Sequence, residues 1–147
     1  MQIIEVQKDN FTISTDPSRL DIETIVDFLT RAYWASSRPR AYTERALQHS
    51  LVFGLYDGDR QIGLARIVSD YSIFAYLCDV FIHEEYRTRG LGKWLIQTVM
   101  EHPELKDVRR WLLVTNDAHG LYRQFGFETI EDPERWMQNF KPFRQED

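Results

Sequence analysis

The run "YSIFAYLCDVFI", Tyr71 to Ile82, is apolar at nearly every position, and it restricts the fold more than any other stretch of the chain. A strand with one face in water alternates apolar and polar residues. An unbroken apolar strand needs packed layers on both faces. Just before it, "SLVFGLYDGDRQIGLARIVSD" holds two β-rich runs around Asp57-Gly58-Asp59, a hairpin signal. The apolar run therefore reads as the third of three successive strands and the centre of a sheet.

The covering layers are also legible. "DPSRLDIETIVDFLTRAYW" places Ile22, Ile25, Val26 and Leu29 on one helical face, with Asp16-Pro17 or Asp21 available to start the helix. "RPRAYTERALQHS" breaks at Pro39 and restarts as a short helix, with Thr43 as the expected N-cap. Another helix follows Gly90 and stops by Pro103, and "RRWLLVT" is a second buried strand. "NDAHGLYRQFG" then predicts a short helix, with Asn116 or Asp117 as cap and Gly126 as its stop. The N-terminal "MQIIEVQKDNFTIST" reads as a strand and turn, and "FETIEDPERWMQNFK" as two further strands.

Successive strands favour antiparallel hairpins, whereas strand–helix–strand favours a parallel crossover. Both are satisfied by a mixed sheet with helices on its two faces. The expectation is one α/β (α+β) domain over residues 1–147.

Net charge is −5 over 147 residues, which argues against general binding to nucleic acid or anionic membrane. Cys78 is the lone cysteine and the four histidines are scattered, so no metal is expected. No charged leader precedes an apolar run, and no apolar stretch approaches ~18 residues. The expected compartment is the cytoplasm.

"EYRTRGLGKWL", Glu85 to Leu95, opens a helix with two glycines, although glycine costs a helix about 1 kcal/mol against alanine. A helix N-terminus offers unpaired N–H groups, and glycines let an anion approach that backbone; Arg87, Arg89 and Lys93 add charge. The set suits a phosphate or diphosphate. A dinucleotide fingerprint would need glycine where Leu95 stands, and a Walker loop would need Ser or Thr where Trp94 stands. The remaining [Q/R]-x-x-G-x-[G/A] pattern is unspecific alone, and Gly90 could simply turn the chain into the helix.

Context makes it specific. Val80-Phe81-Ile82 precede the loop; Arg87, Gly90 and Gly92 form it; Asn116, Ala118, Leu121, Tyr122, Gly126 and Phe127 follow a later strand. In these residues and in element order the chain resembles the GNAT acyltransferase superfamily. The resemblance implies that fold, with a splayed parallel strand pair holding coenzyme A, and transfer of acetyl from acetyl-CoA to a primary amine. It implies cofactor contacts from Val80, Phe81 and Ile82, from Arg87, Thr88, Arg89, Gly90, Leu91, Gly92 and Lys93, and from Asn116 and Tyr122. By the same resemblance Tyr122 protonates the departing thiolate; its plain reading is a core tyrosine.

Many relatives carry a strand glutamate where Tyr76 stands, so the base is open. Asp79 is a weak candidate, because regular alternation puts it opposite Tyr76 and a structural polar role competes. The same alternation puts Cys78 on the face of Val80, which raises an acyl-enzyme as a minor reading. The acceptor side would be formed by the first two helices and their connection, with Tyr33, Trp34 and Arg38 as substrate contacts; a packed Trp34 and solvated arginines compete with that. A small-molecule amine is the expected acceptor and a monomer or homodimer the expected state. The alternatives are a protein or peptide acceptor, or a non-catalytic module that binds coenzyme A.

Overall fold

The computed structural model describes residues 2–143. Six strands form one sheet in chain order: β1 (Glu5–Lys8), β2 (Phe11–Ser14), β3 (Leu51–Asp57), β4 (Arg60–Ser69), β5 (Phe74–Ile82) and β6 (Arg110–Leu112). Every neighbouring pair is antiparallel except β5 and β6, which are parallel. This is the mixed sheet expected from the order of elements. The β3–β4 turn falls at Asp57 to Arg60, where Gly58 supplies a φ of 58°.

Among the described residues four α-helices flank the sheet: α1 (Ile22–Arg31), α2 (Arg40–Gln48), α3 (Leu91–Met100) and α4 (His119–Arg123). On one face Leu91, Leu95, Ile96 and Val99 of α3 and Tyr122 of α4 pack with Phe53, Ile62, Ala75 and Leu77. On the other face Ile25, Phe28 and Leu29 of α1 and Leu47 of α2 pack with Val52, Leu64 and Phe81. There Phe28 stacks on Phe81 with ring centres 4.0 Å apart. Asp21 caps α1, accepting the Thr24 N–H at 3.1 Å.

Three local expectations need correction. Pro39 rather than Thr43 starts α2; Thr43 is buried inside the helix, and proline's fixed φ of −62° sets the entry without a side-chain cap. Neither Asn116 nor Asp117 caps α4, since Ala118 holds that position and donates its N–H to Thr115 Oγ1 at 3.0 Å. The tail after Phe127 forms no strand among the described residues, only the short 3-10 turn Pro133–Arg135. Gly126 does turn the chain after α4, at a φ of 89°.

Candidate active site

The segment from Arg87 to Lys93 joins the end of β5 to the start of α3. Gly90 is the N-cap, with a φ of 76° that side chains disfavour, so the turn itself requires glycine there. Gly92 differs. A Cβ built on it would meet only Ile82 Cγ1, at 3.8 Å, so packing gives no reason for its lack of a side chain. Trp94 is the first residue of the helix whose N–H has a partner, Gly90 O. The N–H groups of residues 88–93 have no backbone partner among the described residues. Arg87, Thr88, Arg89 and Lys93 are exposed around them, and Arg87 Nε holds the loop to Ile82 O at 3.1 Å.

Beside this loop the sheet opens. β5 and β6 pair only at Phe74–Arg110, Ala75–Trp111 and Tyr76–Leu112. From Leu77 to Ile82 the edge of β5 that faces β6 has no strand partner, so a cleft starts beyond Tyr76 and runs towards the loop. Tyr122 is buried in the α3-side core, its ring 5.8 Å from Phe127, and its hydroxyl hydrogen-bonds to no described residue. Burial, with the nearby Tyr33 and Asp117, pushes its phenol up to about 12. Tyr33, exposed on the α1–α2 connection, reaches across to the β6–α4 loop and accepts the Asn116 N–H at 3.3 Å. Tyr33, Asn116 and Tyr122 are thus brought together at the cleft.

Asp79 is where the sequence reading fails. Leu64 pairs with Phe81 but Arg66 pairs with Cys78, so Ala65 alone opposes both Asp79 and Val80. This is a β-bulge, and Asp79 takes a left-handed φ of 52° within it. The bulge breaks the alternation. Val80 and Ile82 lie on the α3 side with Ala75 and Leu77, while Asp79 and Phe81 turn towards α1 and α2. Asp79 therefore shares a face with Tyr76 and Cys78, and Cys78 does not share one with Val80.

On that face Asp79 is saturated. Oδ1 accepts from Trp34 Nε1 at 3.0 Å and Arg38 Nη2 at 3.0 Å; Oδ2 accepts from Arg38 Nη1 at 2.8 Å and Arg66 Nε at 2.9 Å. Burial alone would raise its carboxyl, but the Arg38 hydrogen bonds and the charges of Arg66 and Arg38 outweigh it and hold it below the ordinary range. A carboxylate with four donors and lowered basicity is a poor proton acceptor. Asp79 is therefore not placed to act as the base. Cys78 is equally unsuited to covalent work: burial pushes its thiol up to about 11.

Trp34 and Arg38 are anchored through Asp79 rather than packed or solvated as the plain reading had it. Arg66 was missed. An arginine facing inward in the apolar strand "IGLARIV" was the available signal, since a buried charge needs a partner. Asp70, another carboxylate near the strand, builds the turn into β5 by accepting the N–H groups of Ser72, Ile73 and Phe74.

The family model described as "Acetyltransferase (GNAT) family" matches residues 19–127. The chain belongs to the GNAT acetyltransferase family. A crystal structure assigned to this family, from Xanthomonas campestris pv. campestris, is 45% identical, with a TM-score of 0.86 over 90% of this chain and 94% of that one. The Gibberella zeae protein FG08082 is 29% identical over 136 residues, 78% of this chain and 77% of its own length. Of relatives in Gracilaria tenuistipitata, Arabidopsis thaliana and Prochlorococcus marinus the chain spans 58%, 32% and 64%. A GNAT acetyltransferase from Elizabethkingia anophelis, solved with acetyl-CoA bound, shares the fold at 18% identity and a TM-score of 0.65, covering 84% of this chain and 80% of that one. No helix among the described residues is long and apolar enough to cross a membrane.

Proposed function

We propose that this GNAT protein transfers the acetyl group of acetyl-CoA to the primary amine of a small molecule, by direct attack with both substrates bound. The observation that carries the reading is the run of unpaired N–H groups over residues 88–93, set at the mouth of a cleft with one bare strand edge. These residues fit coenzyme A: a diphosphate matches the N–H groups and the cations of Arg87, Arg89 and Lys93, and Gly92 leaves the approach open.

When bound, acetyl-CoA supplies an activated thioester. In this reading the chain does the rest. The bare edge at Val80, Phe81 and Ile82 pairs with an extended amide-bearing arm as it would with another strand. The Val80 N–H, next to the bulge at Asp79, is the donor assigned to the thioester oxygen. Thr88, Gly90 and Leu91 hold the loop in the shape that aims its N–H groups, and Asn116 closes the far side with Tyr33.

Tyr122 supports the leaving sulfur. With its phenol near 12 and a thiol near ~8.5, complete proton transfer would be uphill by about 5 kcal/mol, so a hydrogen bond to the developing thiolate is its main contribution. With Asp79 saturated, the proton of the attacking ammonium leaves through water. With Cys78 protonated, attack is direct.

The test is thiol release from acetyl-CoA across a panel of primary amines. Amine-dependent release supports the reading, and its absence across the panel with bound acetyl-CoA supports a non-catalytic module. One observation favours a second acceptor class: an open groove of about 810 Å³ runs between β6 and the tail, with Trp111, Tyr122, Glu128, Glu131 and Trp136 on its walls. A basic peptide would suit it, and a lysine peptide in the same panel separates the two.

A further inference from the structure

We infer that the acceptor is an amine that also carries a carboxylate, and that Arg66 with Arg38 is the element that recognises it. This rests on the acetyl-transfer reading and adds the acceptor's chemistry to it.

The charges of the Asp79 cluster are uneven. Two guanidiniums, Arg38 and Arg66, enclose one carboxylate, Asp79, with side chains 14%, 13% and 2% exposed. The other groups around them, Tyr76, Cys78, Trp34 and Ser50, carry no compensating charge; burial pushes both the Tyr76 phenol and the Cys78 thiol upwards. Among the described residues, the two guanidiniums of the cluster share one carboxylate. Of the carboxylates on α1 and α2, Glu23 and Glu44 pair with Arg40 and Asp27 with Arg31, and among the described residues none of them pairs with Arg38 or Arg66. A largely buried cation without a counter-charge is unfavourable, and a carboxylate on the ligand removes that imbalance.

Both arginines also keep donor capacity. Arg38 spends both terminal nitrogens on Asp79, and Arg66 spends Nε on Asp79 and Nη1 on Ser50 Oγ at 3.1 Å. Arg38 Nε and Arg66 Nη2 donate to nothing among the described residues. Asp79 fixes both guanidiniums, so a ligand carboxylate meets donors already in place.

The cluster adjoins the bare edge of β5. Asp79 is the residue next to Val80, at the bulge where the cleft opens, and the exposed rings of Tyr33 and Trp34, 5.1 Å apart, stand over it on the α1–α2 connection. An amine presented at the cleft from this side carries its carboxylate past the arginines.

The experiment uses the full chain and a series of amino acids with one to five carbons between amine and carboxylate, each beside its primary amide. Thiol release with acetyl-CoA gives kcat/KM, and calorimetry gives affinity independently of turnover. The expected result is a ten- to hundredfold preference for at least one acid over its amide, in both readouts. Arg66→Gln should erase that preference and Arg66→Lys should restore part of it, while both keep the rise in melting temperature with acetyl-CoA. Equal use of acid and amide, binding of neither, or a preference that survives Arg66→Gln overturns the inference. Loss of the acetyl-CoA shift in the unaltered chain overturns the acetyl-transfer reading instead.

Discussion

The two faces of the cleft are built from different material. The loop from Arg87 to Lys93 is a backbone site: consecutive N–H groups, a left-handed Gly90 and an unobstructed Gly92. The opposite face is a side-chain site, where Asp79 gathers Trp34, Arg38 and Arg66 from positions 45, 41 and 13 residues away. Backbone sites recur because every residue carries the same N–H. Side-chain sites depend on which residues the fold brings together. In the proposed reading the loop takes the donor and the Asp79 face meets the acceptor.

That contrast can be broken from either side. The largest expected effect is on folding. Asp79→Ala leaves two arginines without their shared carboxylate and should cost about 3–5 kcal/mol in denaturant unfolding. Asp79→Asn, which keeps tolerance for the left-handed backbone, should lose less. Equal stability in all three chains would mean that the cluster does not hold the bulge.

Next comes the donor face. Gly92→Val should weaken acetyl-CoA about 100-fold or more by calorimetry, with the fold's melting temperature nearly unchanged, because packing leaves room for the side chain. Normal binding would remove the loop from the cofactor site. Smaller again, Tyr122→Phe should lower kcat about ten- to hundredfold while leaving acetyl-CoA affinity within about twofold. An equal loss in both would make Tyr122 a packing residue only.

The smallest effect is a control remote from both faces. His102 is buried beside Phe53, its Nδ1 accepts the Glu104 N–H at 3.1 Å, and burial holds its imidazole below the ordinary value. A depressed folded value means that the unfolded chain takes up the proton first. Stability is full above about pH 6.5 and falls as the pH drops below it. His102→Gln should flatten that part of the stability profile without changing acetyl-CoA binding. A profile that keeps its slope would place the titrating group elsewhere.

Much of the loop's geometry was legible because its signals are local. A buried strand, a glycine-bearing helix start and a tyrosine five residues before Phe127 stand in fixed order along the chain. The sheet and its parallel β5–β6 pair were legible for the same reason. Asp79 was not, because strand periodicity assumes an unbroken ladder, and one extra residue exchanges the faces on either side of it. Aspartate is among the few residues that accept the left-handed conformation, so "LCDVF" held a hint of the bulge but not its register. The tail misled in the opposite way. "FETI" and "RWMQNF" carry aromatic and β-branched residues, yet strand formation needs a partner edge as well as propensity.

The measurement that bears most directly on the account is single-turnover acetyl transfer from acetyl-CoA, followed by thiol release and by mass of the acceptor, in the unaltered chain and in Gly92→Val. The account predicts amine-dependent thiol release with one acetyl gained by the acceptor in the first, and neither in the second at the same acetyl-CoA concentration. Equal transfer by both chains, or bound acetyl-CoA that no amine discharges, would contradict it.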